Sequence, residues 1–395
     1  MKITILTGPF HAPPPARGGA VERRWFYVAQ EFVKLGHDVT FFQKRQDGTL
    51  KRETLEGVNH VRRWNLKATR YFPINLLLDF TYAARMIASL PKADILVTND
   101  FFAPAIASRL KKSAGKISIN VARVPKGQLF MYKAVDRLVG VSTAIKNAIV
   151  RERPDFAPKA RFVPNPIDTT VFVPSDHEPD QPTITYTGRV HPEKGLDKLC
   201  EAFAMLREKH PDLRLKIIGG WKIEDGGGGR ALVDELKSIA GEGAEFFDPI
   251  YDRQKLAEAI RDSSVYCYPS QAEMGEAFPC APLEAMGCGR AVVVSQLEQF
   301  HDYIRDDENG VYFDHRGEAA ATNLAEAIGN LLSDPSRRER LQAAAAETAK
   351  AYSFRAIAEM YLADFEEMLG RGPGLPADHR AEPFASAATD DATPT

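Results

Sequence analysis

The chain has 395 residues, of which 44% are hydrophobic and 26% charged, and this length and composition predict a globular protein of two α/β domains. No run approaches the roughly 18 apolar residues that a membrane helix needs, and the sequence enters a strand pattern at once, without the basic and apolar regions of a signal peptide. These features favour a cytoplasmic protein.

The net charge of −2 hides a difference between the two halves. Residues 1–180 contain 28 Lys and Arg against 16 Asp and Glu, a net +12, whereas the remaining residues contain 23 basic and 37 acidic ones, a net −14. A basic half favours peripheral contact with something anionic, such as a membrane surface that carries the acceptor. Attraction between the halves, or solubility alone, explains the difference equally well. No aromatic–basic module predicts a nucleic-acid partner.

The first half alternates between strand and helix patterns. Residues 21–35 carry apolar side chains at helical spacing, with Gly36 placed as a C-cap, and Ser142 is placed to N-cap a helix that begins near Ala144. The other apolar runs are short, as in strands that a parallel sheet buries on both faces. Strands are predicted at 2–8, 38–43, 94–98, 116–121 and 137–141.

The second half repeats this alternation. The predicted strands are 183–187, 213–218, 245–247 and 265–268, and the predicted helices are 196–210, 232–240 and 256–261. A longer helical region follows from 319 to 369, with interruptions near 334–335 and 352–353.

Alternation through both halves predicts two doubly wound, Rossmann-like α/β domains that face each other across a cleft, where the carboxyl ends of the strands would bind ligands. The first domain is predicted to span 1–173 and the second 183–352, with a Pro-rich, polar linker at 174–182. A C-terminal helix at about 353–369 is predicted to pack back on the first domain. The composition of 370–395 predicts a disordered tail.

A glycine pair precedes the first helix. Gly18 and Gly19 close a loop that begins at Pro13, and their lack of side chains lets the backbone approach a phosphate at a helix N-terminus. A plain turn explains the pair as well. The GxGxxG fingerprint of dinucleotide-binding proteins occurs nowhere in the chain.

A second motif follows the strand at 183–187, where Gly188 and Arg189 precede Lys194. Arginine offers a planar fork for phosphate oxygens and lysine a point charge. Two cations at a strand end suit a leaving diphosphate that gains charge as the bond to a sugar breaks. Surface salt bridges are the alternative explanation.

The longest motif runs from Pro269 to Gly289. Glu276 is predicted to lie in a loop, and Glu284 in the first turn of a helix that Pro282 helps to start. One carboxylate would hold hydroxyls of a sugar, and the other those of a ribose. Alternatively, Glu276 is a solvated loop charge and Glu284 a partner of the helix dipole.

In their order and their strand–loop–helix settings, these motifs resemble the family 4 retaining glycosyltransferases of the GT-B fold. The resemblance covers roughly residues 1–370, and the early part is similar to bacterial spore-coat and cell-surface polysaccharide transferases. The resemblance also includes four shorter motifs: Val141-Ser142, residues 164–168 with Phe172, residues 193–195 and residues 284–286.

The resemblance implies a retaining, metal-independent hexosyltransferase without a cofactor. It would move a sugar from a nucleotide diphosphate-sugar to a glycan, lipid-linked or small-molecule acceptor in polysaccharide biosynthesis, and the leaving phosphate would accept the acceptor's proton. Arg189 and Lys194 would neutralise the diphosphate, and Glu276 would contact hydroxyls of the donor sugar. The implied donor-binding residues are Gly18, Gly19, Gly188, Phe278, Pro279, Cys280, Ala281 and, at the ribose, Glu284.

Three departures from the family pattern bear on activity. Ala122 or Arg123 stands where the family often has a histidine near the sugar, which puts a histidine-dependent step in doubt. Pro279 replaces a glycine and removes one backbone N–H. Glu273 stands where many members have their first glutamate, but the spacing to Glu284 favours Glu276 for that role.

Two other functions remain open on the same architecture. A nucleotide-sugar epimerase or hydrolase would turn over the donor without an acceptor. A non-catalytic nucleotide-sugar-binding protein, which the missing histidine makes credible, would bind the donor without turning it over.

Overall fold

The computed structural model describes residues 1–11 and 20–373, and the chain divides into two compact domains. The first is Met1–Pro166 together with the segment that begins at Phe354, and the second is Ile167–Ser353. The segment 174–182, predicted to be a linker, therefore lies inside the second domain. Most of the predicted tail, from residue 374 onward, lies outside the described residues.

The first domain is built on a largely parallel sheet. Its strands are β1 (Lys2–Leu6), β2 (Asp38–Lys44), β3 (Arg52–Leu55), β4 (Val58–Arg63), β5 (Ile95–Thr98), β6 (Lys116–Val121), β7 (Arg137–Gly140) and β8 (Ala160–Phe162). Over the described residues their order is β3-β4-β2-β1-β5-β6-β7-β8, and β3 alone of these pairs antiparallel, with β4. In the register of the central strands, Ile3 stands between Val39 and Ile95.

Helices cover both faces of this sheet, as the strand order of a doubly wound fold requires. They are α1 (Ala20–Lys34), α2 (Phe72–Ser89), α3 (Ala103–Leu110), α4 (Thr143–Glu152) and, from the end of the chain, α11 (Phe354–Met368). Helix α11 belongs to this domain because its apolar face packs on α1, where the rings of Trp25 and Tyr361 lie 4.9 Å apart. The predicted cap is confirmed: the Ser142 hydroxyl accepts the N–H of Ile145 at 3.1 Å.

The second domain repeats the architecture with a parallel sheet. Its strands are β9 (Thr183–Thr187), β10 (Arg214–Ile218), β11 (Ala244–Phe247), β12 (Val265–Tyr268), β13 (Ala291–Ser295) and β14 (Val311–Phe313), in the order β11-β10-β9-β12-β13-β14. Its helices are α5 (Leu196–Arg207), α6 (Arg230–Ala240), α7 (Arg253–Arg261), α8 (Cys280–Gly287), α9 (Ala320–Ser333) and α10 (Pro335–Lys350). Strands β9, β12 and β13 are buried along their whole length, which explains the continuous apolar runs of β12 and β13.

The predicted class of two doubly wound α/β domains is confirmed. The sequence patterns predicted no element at β3, β4, β8, β13, β14, α2 or α3. Strands β3 and β4 are short and polar, β8 and β14 have three residues each, and α2 begins in an apolar run without a polar cap. Across the residues that the structure describes, no helix combines the length and the apolar character needed to cross a bilayer.

Candidate functional site

In the second domain, the loops that follow β9, β10 and β12 are pressed together at glycines. A Cβ added to Gly195, which has φ +63°, would lie 2.2 Å from the carbonyl oxygen of Pro269. A Cβ on Gly219 would lie 1.6 Å from the carbonyl oxygen of Gly188. Only glycine permits these approaches, so the three loops form one surface at the carboxyl end of the sheet.

A buried ion pair lies at this surface. The ammonium Nζ of Lys194 lies 2.5 Å from Oε1 of Glu276, and the two side chains are 7% and 9% exposed. The same carboxylate oxygen accepts the hydroxyl of Ser270 at 2.8 Å and that of Tyr268 at 3.1 Å. Breaking a buried pair by removing one partner typically costs about 3–5 kcal/mol, so the two side chains fix each other's position.

Tyr268 reaches this pair from the end of β12. Burial, and then the nearby carboxylate of Glu276, raise the pKa of its phenol well above the ordinary value. The hydroxyl therefore keeps its proton and donates to Glu276. Its ring centroid lies 5.6 Å from Nζ of Lys194, so the ring also faces the cation.

Arg189 lies beside this pair and is half-exposed. One guanidinium nitrogen donates to Oε1 of Glu193 at 2.7 Å, and another donates to the carbonyl oxygen of Gly226 at 2.7 Å. Nζ of Lys194 lies 3.8 Å from the same oxygen of Glu193. The carboxylate of Glu193 thus stands between the two predicted cations, where an anionic group of a ligand would compete with it.

This arrangement suits a ligand that combines an anion with hydroxyls. Arg189 and Lys194 provide positive charge at a strand end, and a carboxylate, a phenol and a serine hydroxyl lie beside Lys194. Cations bind phosphate oxygens, and a carboxylate accepts hydrogen bonds from sugar hydroxyls. The structure therefore brings Arg189, Lys194 and Glu276 into one connected network.

The next predicted donor contacts are partly used to build the protein core. The ring of Phe278 is buried, with its centroid 5.2 Å from that of Tyr303 and 6.1 Å from that of Tyr352. The carbonyl of Pro279 accepts the Tyr303 hydroxyl at 2.8 Å. These contacts hold the loop that carries Glu276, and they place the ring of Phe278 in the core.

The predicted start of the following helix was wrong by two residues. Helix α8 begins at Cys280, with Pro279 as N-cap, so Pro282 is its third residue and Glu284 lies in its second turn rather than its first. Cys280, Ala281 and Glu284 are each half-buried at this end of the helix.

The structure separates the two candidate glutamates of the loop. Glu273 is half-exposed and turns toward the residues after β14, where its Oε1 lies 3.2 Å from Nε2 of His315 and 2.8 Å from a guanidinium nitrogen of Arg316. Glu276 instead pairs with Lys194. Of the two glutamates, Glu276 is therefore the one that lies in the network with Lys194, and its role toward a donor stays a prediction.

In the first domain, Gly18 and Gly19 lie outside the described residues. Ala122 and Arg123 follow β6, the former half-buried and the latter exposed, at the position where a histidine was expected. Asn120, a buried residue near the end of β6, accepts a hydrogen bond from Arg24 and donates to the hydroxyl of Tyr361 at 3.2 Å. This strand end is therefore tied to α1 and α11.

Two buried carboxyl groups lie near the carboxyl end of β5. Asp100 accepts the N–H groups of Phe102 and Ala103 at 3.0 and 2.7 Å, and Asp79 of α2 also accepts that of Phe102, at 3.2 Å. Burial raises the pKa of Asp79 to about 6, and burial together with the neighbouring Asp79 raises that of Asp100. The pair therefore holds protons that isolated aspartates would lose.

Sequence patterns missed three residues of the second-domain site. Glu193 was visible in the motif but had no assigned role, and Tyr268 and Ser270 looked like the end of a buried strand and its turn. Tyr268 and Ser270 stand on either side of Pro269, where the buried strand β12 ends. Polar side chains at the end of a buried strand are the signal that would have found them.

Two family models match the chain. The model described as glycosyl transferases group 1 matches residues 168–348, and the model described as glycosyltransferase family 4 matches residues 17–171. Together the two matches extend over most of both domains.

Individual proteins are similar over shorter stretches or at lower identity. The phosphatidyl-myo-inositol mannosyltransferase of Mycobacterium leprae is 33% identical over 194 residues, 48% of either protein, so the chain spans about half the length of this relative. Sucrose-phosphate synthase from Thermosynechococcus elongatus has a TM-score of 0.73 at 18% identity, covering 94% of this chain and 100% of that one. Anabaena HepE in complex with UDP and glucose has a TM-score of 0.69 at 16% identity, covering 94% and 99%. The two structures show the GT-B fold.

Proposed function

We propose that this chain, both of whose domains match glycosyltransferase family models, transfers a sugar from a nucleotide diphosphate-sugar to an acceptor. The observation that carries this proposal is the network of Lys194, Glu276 and Arg189 at the carboxyl edge of the second sheet. The second domain would hold the donor and the first domain the acceptor.

In this proposal, each side chain has a separate task. Arg189 and Lys194 bind the diphosphate and stabilise the charge that it gains when the bond to the sugar breaks. Glu276, fixed by Tyr268 and Ser270, accepts hydrogen bonds from hydroxyls of the donor sugar. When the donor enters, its phosphates replace the carboxylate of Glu193 between the two cations.

The reaction would retain the anomeric configuration and require neither metal nor cofactor. Two protein cations already stand where a divalent ion would otherwise neutralise the diphosphate, which supports the second point. Proton NMR of the product's anomeric signal tests retention, and an unchanged rate after treatment with a chelator tests independence from metals. Inversion at the anomeric carbon would contradict the first point.

The acceptor is proposed to be a saccharide or a lipid-linked molecule. The mycobacterial relative is named for a lipid, phosphatidyl-myo-inositol, and the sequence resemblance of the early part adds cell-surface polysaccharide as the wider pathway. The net charge of +12 over residues 1–180 supports peripheral contact with an anionic membrane on which such an acceptor would be found.

The test is a donor screen with and without acceptor. UDP-, GDP-, ADP- and dTDP-sugars are first ranked by the rise in melting temperature that a bound donor causes. The tightest donor is then incubated with membrane and saccharide fractions. Turnover only with an acceptor supports transfer, turnover without one indicates the epimerase or hydrolase, and binding without turnover indicates the non-catalytic protein.

A further inference from the structure

Large apolar side chains stand exposed between the end of β4 and the middle of α2. Phe72 is 69% exposed, Leu77 62% and Trp64 61%. With the cations around them they form what we call the aromatic–basic surface. Its members are Trp64, Leu66, Tyr71, Phe72, Ile74, Leu77 and Phe80, with Lys44, Arg63, Lys67 and Arg70.

The exposed apolar side chains of α2 lie on a different face of the helix from the one that packs on the domain. Ile74, Leu77 and Phe80 follow one another at intervals of three residues and so form one stripe along the helix. A different face buries Tyr82 and Met86. Because α2 is apolar on both faces, the apolar character of the outer face is not explained by packing within the domain.

Hydrogen bonds hold the preceding segment against α2. The amide of Asn75 on the helix accepts the N–H of Thr69 and donates to its carbonyl, both at 2.8 Å. Further along, Arg85 donates to Asn65 at 3.0 Å. The residues between β4 and α2, with Trp64, Leu66 and Tyr71 among them, therefore lie beside the helix rather than apart from it.

The charge of this region has one sign. Residues 57–78 contain four Lys and Arg and no Asp or Glu. Arg62 is buried and paired with Glu53, which leaves Arg63, Lys67 and Arg70 to charge the surface. Lys44 lies on the neighbouring strand. Burial, followed by repulsion from the nearby Lys67, lowers the pKa of Lys44. The next acidic residue, Asp79, is buried under the helix.

We propose that the aromatic–basic surface docks this protein on an anionic lipid bilayer. Aromatic and aliphatic side chains insert at the boundary between headgroups and acyl chains, and flanking cations bind lipid phosphates. Positive charge without acidic residues complements an anionic bilayer. The proposal deepens the peripheral contact inferred above by naming its surface, and it does not depend on sugar transfer.

The test is co-sedimentation of the full chain with vesicles. We expect the protein to bind vesicles of phosphatidylcholine mixed with phosphatidylglycerol and to stay in solution with phosphatidylcholine alone. Phe72→Ser with Leu77→Ser, and separately Lys67→Gln with Arg70→Gln, should each lower the partition constant about tenfold or more, the second only at low salt.

Leu110→Ser is the matched control. Leu110 is 78% exposed at the end of α3, away from the sequence segment 64–80, and its replacement should leave binding unchanged. Absence of binding to anionic vesicles, or an equal loss with Leu110→Ser, overturns the proposal. The proposal is also overturned if the chain forms a dimer in solution and Leu77→Ser dissociates it, because the surface would then bind a second copy of the chain. No donor is present, so vesicle binding and sugar transfer can fail independently.

Discussion

The carboxyl edges of the two sheets carry acidic side chains in opposite settings. In the second domain, Glu276 is buried beside the ammonium group of Lys194 and is held as an ion pair. In the first domain, Asp79 is buried to a similar degree, but its neighbours are backbone N–H groups and Asp100, and its pKa rises to about 6. Equal burial thus leads to a charged site in one domain and a proton-holding site in the other, because only one of them has a cation in contact.

This difference suggests a division of labour. The paired cation and carboxylate of the second domain suit a donor that loses an anionic leaving group, whereas the carboxyl pair of the first domain suits an acceptor that is recognised by hydrogen bonds to its hydroxyls. Variants that remove the charged or protonated groups of one domain at a time test whether the two sites differ in this way.

The largest expected effect is on stability in the second domain. Lys194→Met leaves Glu276 buried without its cation and should lower the free energy of unfolding by about 3–5 kcal/mol, measured by urea denaturation. In the double variant with Glu276→Gln, much of the lost free energy of unfolding should be recovered, since no buried charge remains. Lys198→Met, which removes an exposed pair with Glu201, is the control and should change little. A loss equal to that of the control would mean that the pair is not buried in solution.

The next effect is on turnover. Arg189→Ala should lower kcat on the order of 10²-fold or more, because it removes a preorganised cation from the leaving diphosphate, and Lys194→Ala and Glu276→Ala should do the same where folded protein is obtained. Arg189 is half-exposed, so its variant should fold normally. Arg230→Ala, which removes a solvent-exposed pair with Asp234 on α6, is the control. Near-normal rates for all three variants would rule out this site.

A third effect is the pH dependence of the first domain. The folded pKa of Asp79, about 6, lies above its ordinary value of 3.8, so between these values the folded chain binds more protons than the unfolded one. The contribution of Asp79 to stability is therefore present below pH 3.8 and is lost as the pH rises through about 6, by on the order of 3 kcal/mol.

Asp79→Asn tests this by difference. Subtracting its unfolding free energy from that of the original chain, across the pH range, isolates Asp79 from His60, whose pKa is lowered to about 4 by burial and which acts in the opposite direction. A difference that does not change with pH would show that Asp79 and Asp100 share no proton, and the contrast between the domains would disappear.

The smallest effect sharpens the description of the charged site. Glu193→Gln removes the carboxylate that lies between Arg189 and Lys194, so the diphosphate of a donor meets less competition. Because this pair is partly exposed, we expect the donor Kd to fall by at most about fivefold, measured by calorimetry. A weaker donor complex would show that Glu193 itself binds the donor.

The two sites also differ in how far the sequence predicted them. Arg189, Lys194 and Glu276 stand in motifs that follow buried strands, so the carboxyl-end rule for parallel sheets was enough to place them at one edge. Asp100 also follows a predicted buried strand, but its neighbour Asp79 lies in a helix that the patterns missed, so the pair was not predicted. Glu193 lies inside a motif, but only the fold of the short turn after β9 sets its carboxylate between two cations.

By itself, the sequence determined the alternation of strands and helices, the cap at Ser142 and the motifs at strand ends. These features depend on periodicity and turn chemistry within a few residues. Tertiary structure alone decided the strand order, the domain boundary at residue 166 instead of the predicted 173, the pairing of Lys194 with Glu276 and the exposure of the outer face of α2. Each of these depends on which distant residues pack together, and a local pattern contains no information about that.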